Sequence, residues 1–372
     1  MLDENIKYKI GITLIKGIGN GLAKNLIAYV GSAEAVFREK RETLAKIPGI
    51  GEVLSREIVN QDVLRRAEKE IEFIEKYAIS THYYLDKNYP YRLKECPDAP
   101  ILLFTKGNID LNNGKFVGIV GTRNATEMGK TNCKNLVEDL GKSMENAVIV
   151  SGLAYGIDIC SHKTAVENNI ATIGVLGHGL DRIYPAAHQA TAHKMVENGA
   201  LLTEYLSETI PNQPNFVQRN RIVAGLCDVL VVVETKQKGG SLITACCAND
   251  YNRDVFAFPY RVTDEQGAGC NDLIKRNEAA LIENAADLLN FMDWEKQTDT
   301  QKTVAEQTTL FLDLSEDEQA LLHALRQAPD GLQINELAIK VAKSVSRTSA
   351  LLLTLEFAGF VNSLPGNLYK IQ

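Results

Sequence analysis

The spacing of apolar residues changes character twice along this chain. Up to about residue 80 they recur at three- and four-residue steps. Leu14 and Ile15 are followed by Leu22, Ala23, Leu26 and Ile27, and Leu44 and Ile47 by Leu54 and Ile58. Such steps mark one face of a helix. The turns Gly17-Ile-Gly19 and Gly49-Ile-Gly51 interrupt them, so the segment predicts two helix–turn–helix hairpins. From about 110 to 290 the pattern becomes short, β-branched apolar runs at 116–120, 147–150, 171–176, 200–203, 229–234 and 255–258, with helical spacing between most of them. That alternation predicts an α/β body: a Rossmann-like parallel sheet with helices on both faces. Residues 293–314 are polar and read as a linker. A capping-box start at Ser315 and Glu318, helical patterns at 318–326, 334–341 and 346–358, and a hairpin over 360–371 through Pro365-Gly366 predict a winged-helix-like unit. The expected divisions are 1–80, 81–292, 293–314 and 315–372.

In parallel sheets, ligands bind beyond the carboxyl ends of the strands. Here those ends carry Gly121-Thr122-Arg123, Ser151-Gly152, Gly177, Glu204, Glu234 and Pro259. In Ser151-Gly-Leu-Ala-Tyr-Gly-Ile-Asp158, small residues let a ligand approach the backbone, and the next helix start offers amides to an anion. Asp158 reads as a helix-start cap, and His162, one helical turn on, as support for that turn. Arg123 is a fixed cation suited to phosphate. Lys238-Gly-Gly240-Ser241 is a second anion-ready turn, although no Gly-Lys-Ser/Thr completes a P-loop. Arg219 and Arg221 flank Asn220 at an expected helix start, beside Asn215 and Phe216. They lack acidic neighbours in sequence, which favours phosphate contact with Phe216 stacking on a base over an interior ion-pair network. Asn271 reads as a further helix cap and Cys270 as a packing residue.

Composition narrows the possibilities. The chain has 372 residues, 45% apolar and 23% charged, with net charge −7, so any polyanion site must be a local patch. Seven cysteines without C-x-x-C read as reduced thiols. No apolar run reaches membrane-spanning length, and the start lacks signal-peptide character, so the expectation is a cytoplasmic protein with no membrane partner. The six histidines form no metal pattern, so no metal is expected. The fingerprint G-x-G-x-x-G is missing after the first strand, so no nicotinamide or other cofactor is expected.

The two N-terminal hairpins resemble a helix-hairpin-helix pair, a module that often grips DNA phosphates. A small packing bundle accounts for them equally, since Lys16, Lys24, Lys46 and Arg56 are interspersed with Glu52 and Glu57. For the tail, a protein-contact or purely structural role stands beside duplex reading: its candidate recognition helix carries Arg347 but also Glu356 and many leucines.

Taken in order and spacing, Gly121-Thr-Arg123, Ser151-Gly-Leu-Ala-x-Gly-Ile-Asp158 with His162, Leu176-Gly-His-Gly-Leu-Asp181 with Tyr184-Pro185, Asn215-Phe-x-x-Arg-Asn-Arg221, Gly240-Ser-Leu-Ile-Thr-Ala245 and Gly269-Cys-Asn271 resemble the DNA-processing protein A (DprA/Smf) family. The resemblance covers nearly the whole body. It implies a bacterial cytosolic, non-catalytic homodimer that binds incoming single-stranded DNA in natural transformation, shields it and loads the recombinase RecA. The family's pocket maps onto Gly121, Thr122, Arg123, Ser151, Gly152, Gly156, Gly177, Asn215, Arg219, Arg221, Gly240 and Ser241. Many members carry a cation where this chain has Tyr155. A phenol gives no charge at neutral pH, so stacking would replace a phosphate contact, or charge would come from Lys130, Lys238 or Arg253.

The alternative class is a phosphoribohydrolase-like nucleotide hydrolase. Its Pro-Gly-Gly-x-Gly-Thr motif lacks its third glycine here, and Cys246-Cys247 stand where a catalytic Glu is expected. Asp158, Glu204 and Glu234 remain as strand-end carboxylates for it.

Overall fold

The computed structural model describes residues 5–294, 315–328, 331–357, 360–364 and 368–371. It forms two compact units, Met1–Lys296 and Gln297–Gln372.

The first unit opens with six helices: Ile6–Leu14, Asn20–Val30, Ala33–Arg38, Arg41–Leu44, Gly51–Asn60 and Val63–Lys76. Both expected hairpin turns are present, between the first two helices and before Gly51–Asn60. They interlock. A β-carbon at Gly17 would meet the Leu54 side chain, and one at Gly49 would meet Leu22. The apolar stripes of these helices bury Ile10, Leu26, Leu44 and Ile58 in a core that continues into Ile101, Leu102, Phe104 and Leu206 of the body.

The body is one nine-stranded sheet. Its strands are β1 (Ser80–Tyr83), β2 (Leu102–Gly107), β3 (Lys115–Val120), β4 (Ala147–Ser151), β5 (Ala171–Val175), β6 (Ala200–Thr203), β7 (Val229–Val232), β8 (Asp254–Ala257) and β9 (Ala280–Leu281), in the spatial order β1-β2-β6-β5-β4-β3-β7-β8-β9. Strands β3 to β9 pair in parallel, with Val117 opposite both Ile149 and Val229. The hairpin β1–β2 joins antiparallel on β6. The six expected strands are present, and β1, β2 and β9 are additional. Strand β1, Ser-Thr-His-Tyr, has no apolar alternation, and β9 is two residues long, so neither carries a strand signal in sequence.

The central strands are apolar throughout because both their faces are covered. All of Val229–Val232 is buried, and Phe116 is fully enclosed. Truncating such a phenylalanine to Ala costs about 3–5 kcal/mol. Helices pack in two groups: Glu127–Ser143 with Ile157–Glu167 and Ala285–Phe291, and Gln213–Leu226 with Ser241–Asp250. After β3 the chain runs to β4 on one side, and β7 later pairs on the other. The connections diverge there and leave a crevice beyond the carboxyl ends of β3 and β7.

The second unit has helices Glu316–Arg326, Ile334–Lys340 and Val345–Phe357, with a small antiparallel sheet in which Leu368–Ile371 lies between Leu332–Gln333 and Val361–Leu364. Leu321, Leu325, Leu337, Leu352 and Leu355 form its core. This is a winged-helix arrangement. The Pro365-Gly366 turn and most of the expected linker lie outside the described residues.

Candidate nucleic-acid interface

A cleft of about 720 Å³ occupies the crevice at the β3/β7 switch point. The loop after β3 supplies Gly121, Thr122, Arg123 and Asn124, and helix Gln213–Leu226 supplies Gln213, Phe216, Arg219 and Asn220. The loop after β7 supplies Lys236, Lys238, Gly240 and Ser241. Arg123, Lys236 and Lys238 are exposed. The loop after β3 is held from below by Glu234, which is fully buried. Its backbone carbonyl accepts the Thr122 amide at 2.7 Å, and its carboxylate accepts the Thr126 amide and hydroxyl at 2.8 and 2.5 Å. A buried carboxylate tied off in this way is a scaffold for the loop that presents Arg123.

Arg219 is the unusual group. It is 4% exposed, yet among the described residues no carboxylate lies within ion-pairing distance of it. Its Nη1 donates to the Val175 carbonyl, and its Nε has no partner. Burial pushes its pKa down, Asp158 pulls it back up, and Arg123 across the cavity pushes it down again. Asp158 in turn is raised by burial and restrained by Arg219. Its carboxylate accepts the Ala154 amide at 3.3 Å, which closes the turn before its helix. A buried guanidinium with an unbonded Nε at a cleft wall is costly, because its charge lacks an ion-pair partner.

The glycines act differently from expectation. They make room for protein rather than for ligand. Gly121 abuts Ile157, Gly152 lies under the Arg219 guanidinium, and Gly177 meets the Phe216 ring. At Gly156, φ is +78°, and a β-carbon would fall 2.1 Å from the Thr122 carbonyl oxygen. Gly240 alone of these has open space around it. Ser151 is buried, with its hydroxyl donating to the Ile119 carbonyl, and Ser241 is buried, donating to Thr235.

Arg219 and Arg221 do not sit at a helix start. Asn212 caps that helix through the Asn215 amide, and both arginines fall in its middle. Successive odd positions point to different sides, so the pair divides. Arg221 leaves the cleft, pairs with Glu204 and donates to the Asp98 carbonyl at 2.8 Å. Its acidic partners were invisible in sequence because they lie far along the chain. Asn215 lies at the first turn, and its carbonyl faces the Tyr205 hydroxyl. His162 contacts Thr172 from a fully buried position rather than supporting the Asp158 turn. Asn271 is not a cap: its helix begins at Ala268, and its side chain bonds the Tyr260 backbone.

A smaller pocket of about 120 Å³ adjoins the cleft, sharing Arg123, Phe216 and Arg219 and adding Gly152, Tyr155 and Tyr184. Tyr184 stacks on Phe216 at 5.6 Å and 21°, and Tyr155 meets His188 edge-on at 4.8 Å. Tyr155 and Tyr184 are each 49% exposed, so about half of each residue is open to solvent. Tyr184 and Lys236 line these cavities without being among the binding residues expected from sequence. Tyr184 was visible as the residue before Pro185, whereas Lys236 has no signal beyond following β7.

With this geometry in view, sequence comparison is decisive: the sequence model described as DNA recombination-mediator protein A matches residues 80–293. The chain belongs to the DNA recombination-mediator protein A (DprA/Smf) family. A SAM-like helix-hairpin-helix tandem matches 11–61, and a DprA winged helix domain matches 305–367. Protein Smf of Synechocystis is 31% identical over the full length of both chains. The DNA processing protein DprA of Streptococcus pneumoniae is 40% identical over 55% of this chain and 71% of its own. The X-ray structure of DprA from that organism superposes with TM-score 0.66 at 34% identity, covering 78% of this chain and 98% of that one. DNA processing protein A from Helicobacter pylori, solved for its single-stranded DNA binding mode, superposes with TM-score 0.52 at 31% identity over 58% of this chain and 96% of its own. This DprA-family chain thus carries the helix-hairpin-helix, α/β and winged-helix parts. Among the described residues no helix is long and apolar enough to cross a membrane, and no cluster of His, Cys, Asp or Glu could hold a metal ion.

Proposed function

We propose that this protein binds single-stranded DNA without sequence preference across the carboxyl ends of its parallel strands. It shields incoming DNA during transformation and hands it to RecA, acting as a cytoplasmic homodimer. The observation that carries the reading is Arg219, a buried guanidinium with no carboxylate partner facing a cleft rimmed by Arg123, Lys236 and Lys238. Phosphates supply the missing anion, and the Tyr155, Tyr184 and Phe216 rings supply stacking surfaces for splayed bases. The related H. pylori protein, solved for its single-stranded DNA binding mode, supports the same ligand. Gly121, Gly152, Gly156, Gly177, Ser151 and Ser241 serve by shaping these walls. Joining two weak sites in a dimer raises avidity. For the hydrolase alternative, Glu234 and Glu204 are committed to Thr126 and Arg221, which leaves Asp158 without a second acid in the cleft.

Fluorescence anisotropy with labelled (dT)20 and its duplex across a salt series tests the reading. The parent binds the single strand preferentially and salt-sensitively, and Arg123→Ala and Arg219→Lys lose that binding. Affinity indifferent to both changes rejects this site.

A further inference from the structure

Two cysteines with no part in DNA binding face each other behind the cleft. Cys133 lies on helix Glu127–Ser143 and Cys160 on Ile157–Glu167, and these helices pack together. Their thiol contacts cross reciprocally. The Cys133 thiol donates to the Ile157 carbonyl at 3.8 Å, and the Cys160 thiol donates to the Lys130 carbonyl at 3.6 Å. Ile157 precedes Cys160 by three positions, and Lys130 precedes Cys133 by three. Residues three apart are neighbours on a helix surface, so each sulfur reaches the spot beside the opposite cysteine.

Their environments differ as an attacking and a resolving thiol differ. Cys160 is partly exposed. The neighbouring Cys133 thiol pulls its pKa down to about 7 against the effect of burial, with Thr164 and Lys130 helping and Glu167 opposing. Cys133 is wholly buried, and the Cys160 thiol beside it together with burial pushes its pKa up. Elsewhere, Cys96, Cys227, Cys247 and Cys270 are pushed up by burial. Cys246 is exposed, and its thiol donates to the Asp250 carboxylate.

We infer that Cys160 and Cys133 form a redox modification site at which hydrogen peroxide drives an interhelical disulfide. The Cys160 thiolate attacks the peroxide O–O bond and becomes a sulfenic acid, and hydroxide leaves and is protonated to water. Cys133 then loses its proton and attacks that sulfur. The S–S bond forms, the S–O bond breaks, and a second water departs. The two thiols lose two electrons in all, and the peroxide gains them. The product ties together the two helices that follow the Arg123 and Tyr155 loops.

The test treats the full chain with hydrogen peroxide, alkylates it under denaturing conditions and maps it by non-reducing mass spectrometry. Free thiols are expected to fall from seven to five per chain, with one Cys133–Cys160 cross-linked peptide that dithiothreitol removes. Cys160→Ser, a conservative change at a partly exposed site, abolishes the loss. In Cys133→Ala, Cys160 persists as a sulfenic acid trapped by dimedone. A parent chain whose Cys160 stays alkylatable while Cys246 oxidises overturns the inference, as does Cys160 reaching sulfinic acid without the cross-link. The parent's peptide map decides by itself, so a variant that misfolds leaves the answer readable.

Discussion

The Arg219 guanidinium lies against the backbone of Gly152, so closely that a β-carbon at 152 would fall 1.9 Å from Nη1. The end of β4 is therefore shaped around a protein cation, and that cation is held where the cleft and the aromatic pocket meet. Gly152→Ala must displace Arg219. A hydrogen bond to a charged group is worth about 1.5–3 kcal/mol, so affinity for (dT)20 should drop by about ten- to a hundredfold. Combining Gly152→Ala with Arg219→Lys should add little, because both remove one contact. Anisotropy titration of the three variants checks this, and parent-like binding by Gly152→Ala sinks it.

Arg221 should behave in the opposite way to Arg123. Removing it leaves the Glu204 carboxylate, 9% exposed, without its ion-pair partner. Breaking a buried pair costs about 3–5 kcal/mol. Arg221→Ala is thus expected to lower Tm by several degrees while single-strand affinity of the folded protein stays within about twofold. Arg123→Ala should leave Tm unchanged and weaken binding. Calorimetry beside anisotropy separates the two, and the reverse outcome would return Arg221 to the interface.

Charge and stacking should separate in a salt series. Each phosphate contact contributes about 0.7 to the slope of log K against log salt on single strands. Lys236→Ala should flatten the slope by about that amount. Tyr155→Ala should cost about 1–3 kcal/mol of binding with the slope unchanged, and Tyr155→Phe should keep most of the affinity. A slope that changes with Tyr155→Ala would place a phosphate, not a base, at the phenol.

Acid should act on His162. Burial first, then Arg219 and His188, press its pKa down to about 3 from an ordinary 6.5. Below pH 6.5 the unfolded chain takes up a proton that the folded chain refuses, so stability falls as pH drops from 6.5 towards 3. This one group contributes about 1.4 kcal/mol per pH unit over that window. Denaturant unfolding at stepped pH should show His162→Asn losing less stability on acidification than the parent. Equal slopes would mean that His162 is protonated in the fold.

What the sequence made legible was what local pattern controls. The hairpins at Gly17 and Gly49, the central strands and the loops bearing Arg123 and Lys238 all follow from spacing, because helix and buried-strand periods are local properties. Strand β1 was hidden because its four residues are held by pairing with β2, a long-range fact. The fates of Arg219 and Arg221 were hidden for the same reason. Two positions apart, one reaches a backbone carbonyl at the cleft and the other reaches Glu204, and only the folded chain brings those partners near. The glycine-rich turns were visible, but what fills the space above each was not. A missing side chain reads alike whether it leaves open space, as at Gly240, or admits a neighbour's guanidinium, as at Gly152.

The reciprocal seating of Leu54 on Gly17 and of Leu22 on Gly49 makes each N-terminal hairpin the mould of the other. The backbone at 17 and 49 is left-handed as well, at φ +81° and +85°, so a side chain acquired there is strained even where Leu54 or Leu22 gives way. An exchange of one hairpin between relatives is therefore expected to succeed when it keeps its own glycine and finds the matching leucine in its counterpart.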